Sequence, residues 1–302
     1  DTIGKAQAKV FSTLDLTSGF WQMALHHDSQ DQTAFTVPGR GRFHWVRTPM
    51  GLKGAPASFQ RLMDFVMQGM PNVQSYIDDV LVFSADEKLH LKHIREAFVR
   101  MRQFNLKLNL DKCEFGRTEV PYLGHILTKD GIKPSTDKLK AVRDFPEPKT
   151  IKQLREFCGL TNSFRNHIRG FALLAGQLTK LTRKESEWAG GPLPPLAKAA
   201  FLKLKDSLCS APMLIYPNPE LPYRLAVDAA TGSADTPGGL GAILSQVDKN
   251  GEERVIAYAS RSLKPFEKNY TPFLLELAAA VWAIDYYHVY LYGKRFTLLT
   301  DH

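Results

Sequence analysis

The chain has 302 residues, 44% of them hydrophobic and 23% charged, and a formal net charge of +8. That mixture excludes a disordered or low-complexity chain, and the length suits two or three domains of about 100–150 residues. The longest apolar run, residues 277–284, is closed by Glu276 and Asp285 and falls short of the roughly 18–20 residues a membrane span needs, while basic residues spread along both halves suit a polyanionic partner.

In chain order, residues 10–15 alternate as a strand, with Phe11, Thr13 and Asp15 on one face. Residues 35–46 read as a hairpin turning at Pro38-Gly39-Arg40-Gly41. Pro56 opens a helix with Phe59, Leu62, Met63, Val66 and Met67 on one side. Residues 75–83 form an apolar strand pair with Asp78 and Asp79 in the middle, and a long helix carrying Leu89, Ile94, Phe98 and Met101 follows. His90 and His93 read as surface residues of that basic helix, beside Lys88, Lys92, Arg95, Arg100 and Arg102. Further strands are expected at 107–110 and 122–127. Thr150 and Gln153 then fit a capping box that starts a helix buried through Leu154, Phe157, Leu160 and Phe164.

Three breaks divide the chain: residues 144–149, 188–195 and 216–222, each rich in proline. The last segment reads as a strand (223–228), strands to about 260, a helix (272–290) and a strand (296–300), a small α/β unit. Cys113, Cys158 and Cys209 are far apart and form no Cys-x-x-Cys pair, so neither a disulfide framework nor a thiolate zinc site is expected. The four tryptophans show no stacking pattern, and the opening residues carry neither a signal peptide nor an initiator Met, which reads as a piece of something longer.

The informative feature is Tyr76-Ile77-Asp78-Asp79. Two adjacent acids inside an apolar strand pair are costly unless a cation compensates them. Both reach one site only from a tight turn, and a type I′-like hairpin tip is the plain alternative. Asp15, at the end of another apolar strand, adds a second strand-end carboxylate. Such a cluster suits hard divalent cations bound through oxygen, and Mg²⁺ above all.

The blocks Phe11-Ser12-Thr13-Leu14-Asp15-Leu16-Thr17-Ser18-Gly19-Phe20-Trp21-Gln22, residues 51–60, Tyr76-Ile77-Asp78-Asp79 and Tyr122-Leu123-Gly124-His125 resemble, in order and spacing, the reverse transcriptases of gypsy-type (Metaviridae) LTR retrotransposon Pol polyproteins. The likeness runs through the thumb into the ribonuclease H region. It implies an α+β right-hand polymerase palm, its fingers largely missing, with a helical thumb and a truncated α/β ribonuclease H-like domain. The implied boundaries are palm with remnant fingers 1–117, primer-grip hairpin and thumb 118–195, connection 196–221 and ribonuclease H-like domain 222–302.

The resemblance implies that Asp15 and Asp78 are direct metal ligands, with Asp79 beside them. Phe20, five residues after Asp15, matches an aromatic gate against the 2′-hydroxyl, the handle that separates ribo- from deoxyribonucleotides. Met50 (Gln in retroviral enzymes), Gly51, Lys53 and Gln60 match contacts to template and incoming dNTP, and Leu123 and Gly124 the primer grip. Asp228, Glu276 and Asp301 match a second cluster, with Thr231 to Pro237 as a longer loop after its first strand.

The implied activity is RNA- and DNA-directed DNA polymerisation joined to cleavage of RNA in RNA–DNA hybrids, each with two Mg²⁺ (or Mn²⁺). The implied partners are an RNA template, a DNA primer, the hybrid, dNTPs and other Pol and Gag segments, without a membrane. The implied location is the cytoplasm, in virus-like particles, with entry to the nucleus. The ribonuclease H part is expected to be weak, because a fourth acid would lie past His302. The rivals are a domesticated nucleic-acid-binding protein, disfavoured by the intact carboxylates, and a stand-alone nuclease, disfavoured by the larger polymerase part.

Overall fold

The computed structural model describes residues 2–233 and 237–301. Contacts divide the chain into two units, Asp1–Lys129 and Asp130–His302.

The first unit is built on β1 (Val10–Asp15), and its small hairpin pairs β2 (Phe35–Val37) with β3 (Gly41–Phe43). Helix α1 (Ala55–Val66) starts on Pro56 and is followed by β4 (Val73–Tyr76), β5 (Asp79–Ser84) and helix α2 (Glu87–Gln103). Strand β6 (Glu114–Arg117) completes a sheet of order β4-β5-β1-β6, and β7 (Glu119–Tyr122) pairs antiparallel with β8 (His125–Thr128) outside that sheet. Every residue of β5 after Asp79 is buried, as expected for a strand covered on both faces. Phe59, Met63 and Val66 of α1, with Ala97 and Met101 of α2, pack on Leu14, Val80 and Val82.

Some local expectations are corrected. Residues 107–110 do not form a strand: Leu108 makes one bridge to Leu16, and a 3-10 turn follows at Leu110–Lys112. Residues 122–127 are not one strand but the end of β7, a turn and β8. Trp21 and Trp45 do pack, with ring centroids 6.2 Å apart. Leu89 is exposed, and the neighbouring His90 points inward at 2% exposure. Its Nε2 pairs with Ser12 Oγ at 2.7 Å and its Nδ1 with Ser84 Oγ at 2.9 Å, while His93 Nδ1 meets Ser84 Oγ at 2.8 Å. A neutral imidazole, one nitrogen donating and one accepting, satisfies this network.

Burial, and then the charge of His93, hold His90 below its ordinary 6.5. The unfolded chain takes up the proton near 6.5 and the fold resists it, so stability is whole above that pH and is lost as pH falls toward the depressed folded value. The urea midpoint of the parent chain should therefore drop between pH 7 and 5 more steeply than that of His90→Gln. Equal slopes would remove His90 from the explanation.

The second unit begins with β9 (Ile132–Pro134), bridged at Ile132 to Leu214. Helices α3 (Thr136–Arg143), α4 (Ile151–Asn162), α5 (Phe171–Lys180) and α6 (Pro195–Cys209) share one core around Val142, Phe157, Leu178 and Phe201. Thr150 Oγ1 accepts from Gln153 N at 3.2 Å, as a cap should. Gln153 Oε1 accepts from Lys149 N at 2.9 Å instead of closing on Thr150.

A second sheet follows: β10 (Tyr223–Ala230), β11 (Gly239–Val247), β12 (Glu253–Ser262) and β13 (Phe296–Leu299), in the order β12-β11-β10-β13 with only the β10–β13 pair parallel. Helix α7 (Pro272–Tyr286), capped by Thr271 and ending short of residue 290, packs on Leu225, Val227, Leu240 and Leu244. Of the loop expected at 231–237, residues 234–236 lie outside the described residues. No helix among the described residues is long and apolar enough to cross a membrane.

Candidate active sites

Antiparallel pairing of β1 with β5 sets Asp15 directly opposite Asp79. The β4–β5 hairpin pairs Tyr76 with Asp79, leaving Ile77 and Asp78 as a two-residue tip. All three acids therefore stand at one end of one sheet. Like charges directly opposed across strands destabilise, and the effect is visible: burial, then Asp78 and Asp15, push the Asp79 carboxyl up, with Lys112 partly opposing them. Lys112 Nζ lies 3.9 Å from Asp15 Oδ1. It is a cation that the sequence reading missed, because nothing in the spacing links residue 112 to residue 15.

The turn at Leu123 and Gly124 faces the same acids. Both residues have positive φ, +49° and +80°, the signature of a two-residue type I′ hairpin. Glycine adopts this without cost at the second position. A cavity of about 230 Å³ is lined by Asp15, Asp79, Lys112, Tyr122, Leu123 and Gly124. Tyr122 is pushed up to about 12 by burial and then by the Asp79 charge.

The acidic tip itself departs from the plain type I′ alternative. Only Ile77 has positive φ, at +55°, and a β-branched residue there is a strained outlier. Gln60 of α1 holds it: its Oε1 accepts from Ile77 N at 2.7 Å, and its Nε2 donates to Ser75 O at 3.1 Å and Asp64 Oδ1 at 2.8 Å. Gln60, expected among the contacts to template and incoming dNTP, thus holds the carboxylate turn as well. Gln60→Ala should slow primer extension about tenfold, the cost of roughly 1.4 kcal/mol in alignment, and speed amide exchange at Ile77. An unchanged exchange rate would show that the turn holds itself.

Phe20 lies in a 3-10 turn, Gly19–Gln22, directly after β1. Gln22 fixes that turn, donating to Thr17 O at 2.6 Å and Lys107 O at 2.9 Å and accepting from Lys107 N at 2.7 Å. The half-buried Phe20 ring meets Phe59 edge-on with centroids 5.7 Å apart. Met50, Gly51 and Lys53 lie exposed on the approach to α1, Met50 at 72%.

The second cluster lies across the parallel pair β10 and β13. Asp228 and Asp301 each sit two residues beyond the paired Ala226 and Leu299. Glu276 of α7 meets their chain neighbours rather than the aspartates themselves, and it is only 8% exposed. Its Oε1 accepts from Ala229 N at 2.9 Å and its Oε2 from the Thr300 hydroxyl at 3.4 Å. It ties both strand ends together rather than standing as a solvated helix glutamate.

Residues 3–127 match the model of reverse transcriptases, RNA-dependent DNA polymerases, and residues 195–298 that of the RNase H-like domain found in reverse transcriptases. The chain is 39% identical over 306 residues to the retrovirus-related Pol polyprotein from transposon opus of Drosophila melanogaster, covering 98% of this chain and 30% of the relative. For the Pol polyprotein from transposon gypsy of the same fly, identity is 35%, covering 98% of this chain and 29% of the relative. The chain thus spans under a third of the length of these curated relatives.

Among solved structures, a foamy viral protease-reverse transcriptase in complex with RNA/DNA hybrid superposes with a TM-score of 0.81 at 24% identity, covering 100% of this chain and 40% of the other. The dRH form of that protein with double-stranded DNA gives a TM-score of 0.83, also at 24% identity, covering 100% of this chain and 52% of the other.

Domains of these two kinds generally use divalent metal ions. Among the described residues, no three His, Cys, Asp or Glu side chains converge as a ready metal cage. The donor chemistry at the end of β1 nonetheless fits a hard cation, since it offers carboxylate oxygens whose negative charge Lys112 offsets only in part. The chain thus carries a reverse transcriptase domain over residues 3–127 and an RNase H-like domain of the kind found in reverse transcriptases over residues 195–298, and it is similar across nearly its whole length to the Pol polyproteins of Drosophila transposons, gypsy among them.

Proposed function

We propose that this chain carries an RNA- and DNA-directed DNA polymerase site at Asp15, Asp78 and Asp79, and a site for cutting RNA in RNA–DNA hybrids at Asp228, Glu276 and Asp301. The observation that carries the reading is the convergence of β1, the Ile77-Asp78 tip and the Leu123-Gly124 turn on one sheet end. Its substrates are then an RNA or DNA template, a DNA primer and dNTPs.

Asp15 and Asp78 would hold Mg²⁺, with Mn²⁺ as a chemical substitute, and Asp79 would add negative charge beside them. The metal, when bound, supplies activation of the primer 3′-hydroxyl and neutralises the leaving pyrophosphate. The protein's own part is alignment. Leu123 and Gly124 line the cavity beside Asp15, where backbone at a glycine turn lets a primer strand approach closely. Gln60 keeps Asp78 aimed, and Phe20 stands on the Phe59 ring where a sugar edge would arrive. At the second site, Glu276 links Ala229 and Thr300, the neighbours of Asp228 and Asp301, and so holds the two strands in step.

The test is Mg²⁺-dependent incorporation of dTTP on poly(rA)·oligo(dT), and no incorporation by the chain would overturn the polymerase reading. Binding should be salt-dependent and nearly indifferent to sequence. A polymerase accepts any template through phosphate contacts, so log K should fall linearly with log salt, by about 0.9 per phosphate contacted. A flat plot would contradict this.

A further inference from the structure

We infer that Arg169 is a phosphate-contacting residue of the second carboxylate site, delivered to it by the helical layer of the same unit. The inference rests on the hybrid-cleaving reading above and adds to it a specific residue from outside the RNase H-like sheet.

Strand alternation gives the sheet two faces. Leu225, Val227, Leu240 and Leu244 face α7, so Ala226 and Asp228 of β10 and their register partners Ile243 and Gly241 of β11 face the other way. Onto that opposite face docks the corner between α4 and α5. Ala172 N donates to Ser260 Oγ at 2.9 Å, and the Arg165 guanidinium donates to Ser260 O at 3.1 Å. Leu173 lies so close to β11 that a Cβ on Gly239 would meet its Cδ2 at 2.5 Å. Contacts at two sheet residues, Ser260 and Gly239, therefore fix the corner on the sheet.

Between this corner and the strand ends lies a cavity of about 400 Å³. Arg169, Asp228 and Asp301 all line it, together with Ala226, Gly239 and Gly241. Arg169 is exposed and makes no hydrogen bond or ion pair among the described residues, whereas Arg165, four residues earlier, is spent on Ser260. It also acts electrostatically on Tyr258, a residue of β12. Two carboxylates alone repel a polyanionic strand. A guanidinium lining the same cavity supplies the missing attraction, with a fork that suits phosphate oxygens.

The test measures binding of an RNA–DNA hybrid by anisotropy, without divalent metal so that cleavage is blocked. It uses the full chain and its Arg169→Ala and Arg169→Lys variants, with a single neutral methylphosphonate moved along each strand of the hybrid. Arg169→Ala should weaken binding about three- to tenfold and lower the salt slope by about one, while Arg169→Lys keeps the slope. One methylphosphonate position should weaken the parent chain similarly and leave Arg169→Ala untouched. Unchanged affinity and slope in Arg169→Ala, or additive losses at every position, would overturn the inference and leave the nuclease reading standing. A parent chain that fails to bind the hybrid would overturn both.

Discussion

Asp78→Asn should reduce primer extension about a thousandfold, or roughly 4 kcal/mol of transition-state stabilisation, while leaving the palm folded. The substitution keeps the size of the side chain at the hairpin tip and removes one anionic oxygen ligand. Its effect on stability should be neutral or favourable without metal. Asp78 is the largest neighbouring charge acting on Asp79, and burial already pushes that carboxyl up, so removing the charge relieves repulsion. Single-nucleotide extension and a urea melt on the same preparations separate the two effects. Extension above about a tenth of the parent rate would move the metal site away from Asp78, and a collapsed melt would make the loss structural.

Phe20→Ala should lower the preference for dNTPs over rNTPs about a hundredfold, the order of discrimination that shape alone provides against an added hydroxyl. The structure adds a cost that the sequence did not reveal. Because the half-buried ring packs edge-on against Phe59, its loss should also remove about 1–2 kcal/mol of stability. Phe20→Leu, which keeps most of that packing, should retain stability and recover part of the discrimination. An unchanged dNTP to rNTP ratio in Phe20→Ala would leave Phe20 as a packing residue only.

The strand-end position of Asp15 and the hairpin tip at Asp78 follow from short-range patterns: an apolar run that stops at an acid, and a two-residue interruption between strands. By contrast, β10 runs two residues past Asp228 and β13 stops two residues short of Asp301. What escaped the reading depends on partners distant in sequence. Gln60 looks like any polar helix residue until α1 is laid beside the β4–β5 turn, where its side chain meets the backbone of Ile77. His90 sits in a run of charges that reads as a wet helix face. Yet its ring is the one that points at Ser12 and Ser84 on neighbouring strands, while Leu89 beside it turns out to water. The two turns differ for a related reason. Positive φ at Leu123-Gly124 matches type I′ chemistry, whereas at Ile77 the backbone strain is held from outside by Gln60, which no local propensity encodes.

The most direct measurement of the central claim is a crystal structure of the chain with a primer–template duplex, a non-hydrolysable dNTP and Mg²⁺. The account predicts Mg²⁺ at about 2.0–2.1 Å from oxygens of Asp15 and Asp78. It also predicts the primer terminus beside Leu123 and Gly124, and the sugar of the nucleotide against Phe20. A primer terminus bound away from the end of β1, or Mg²⁺ held without Asp15 and Asp78, would contradict it.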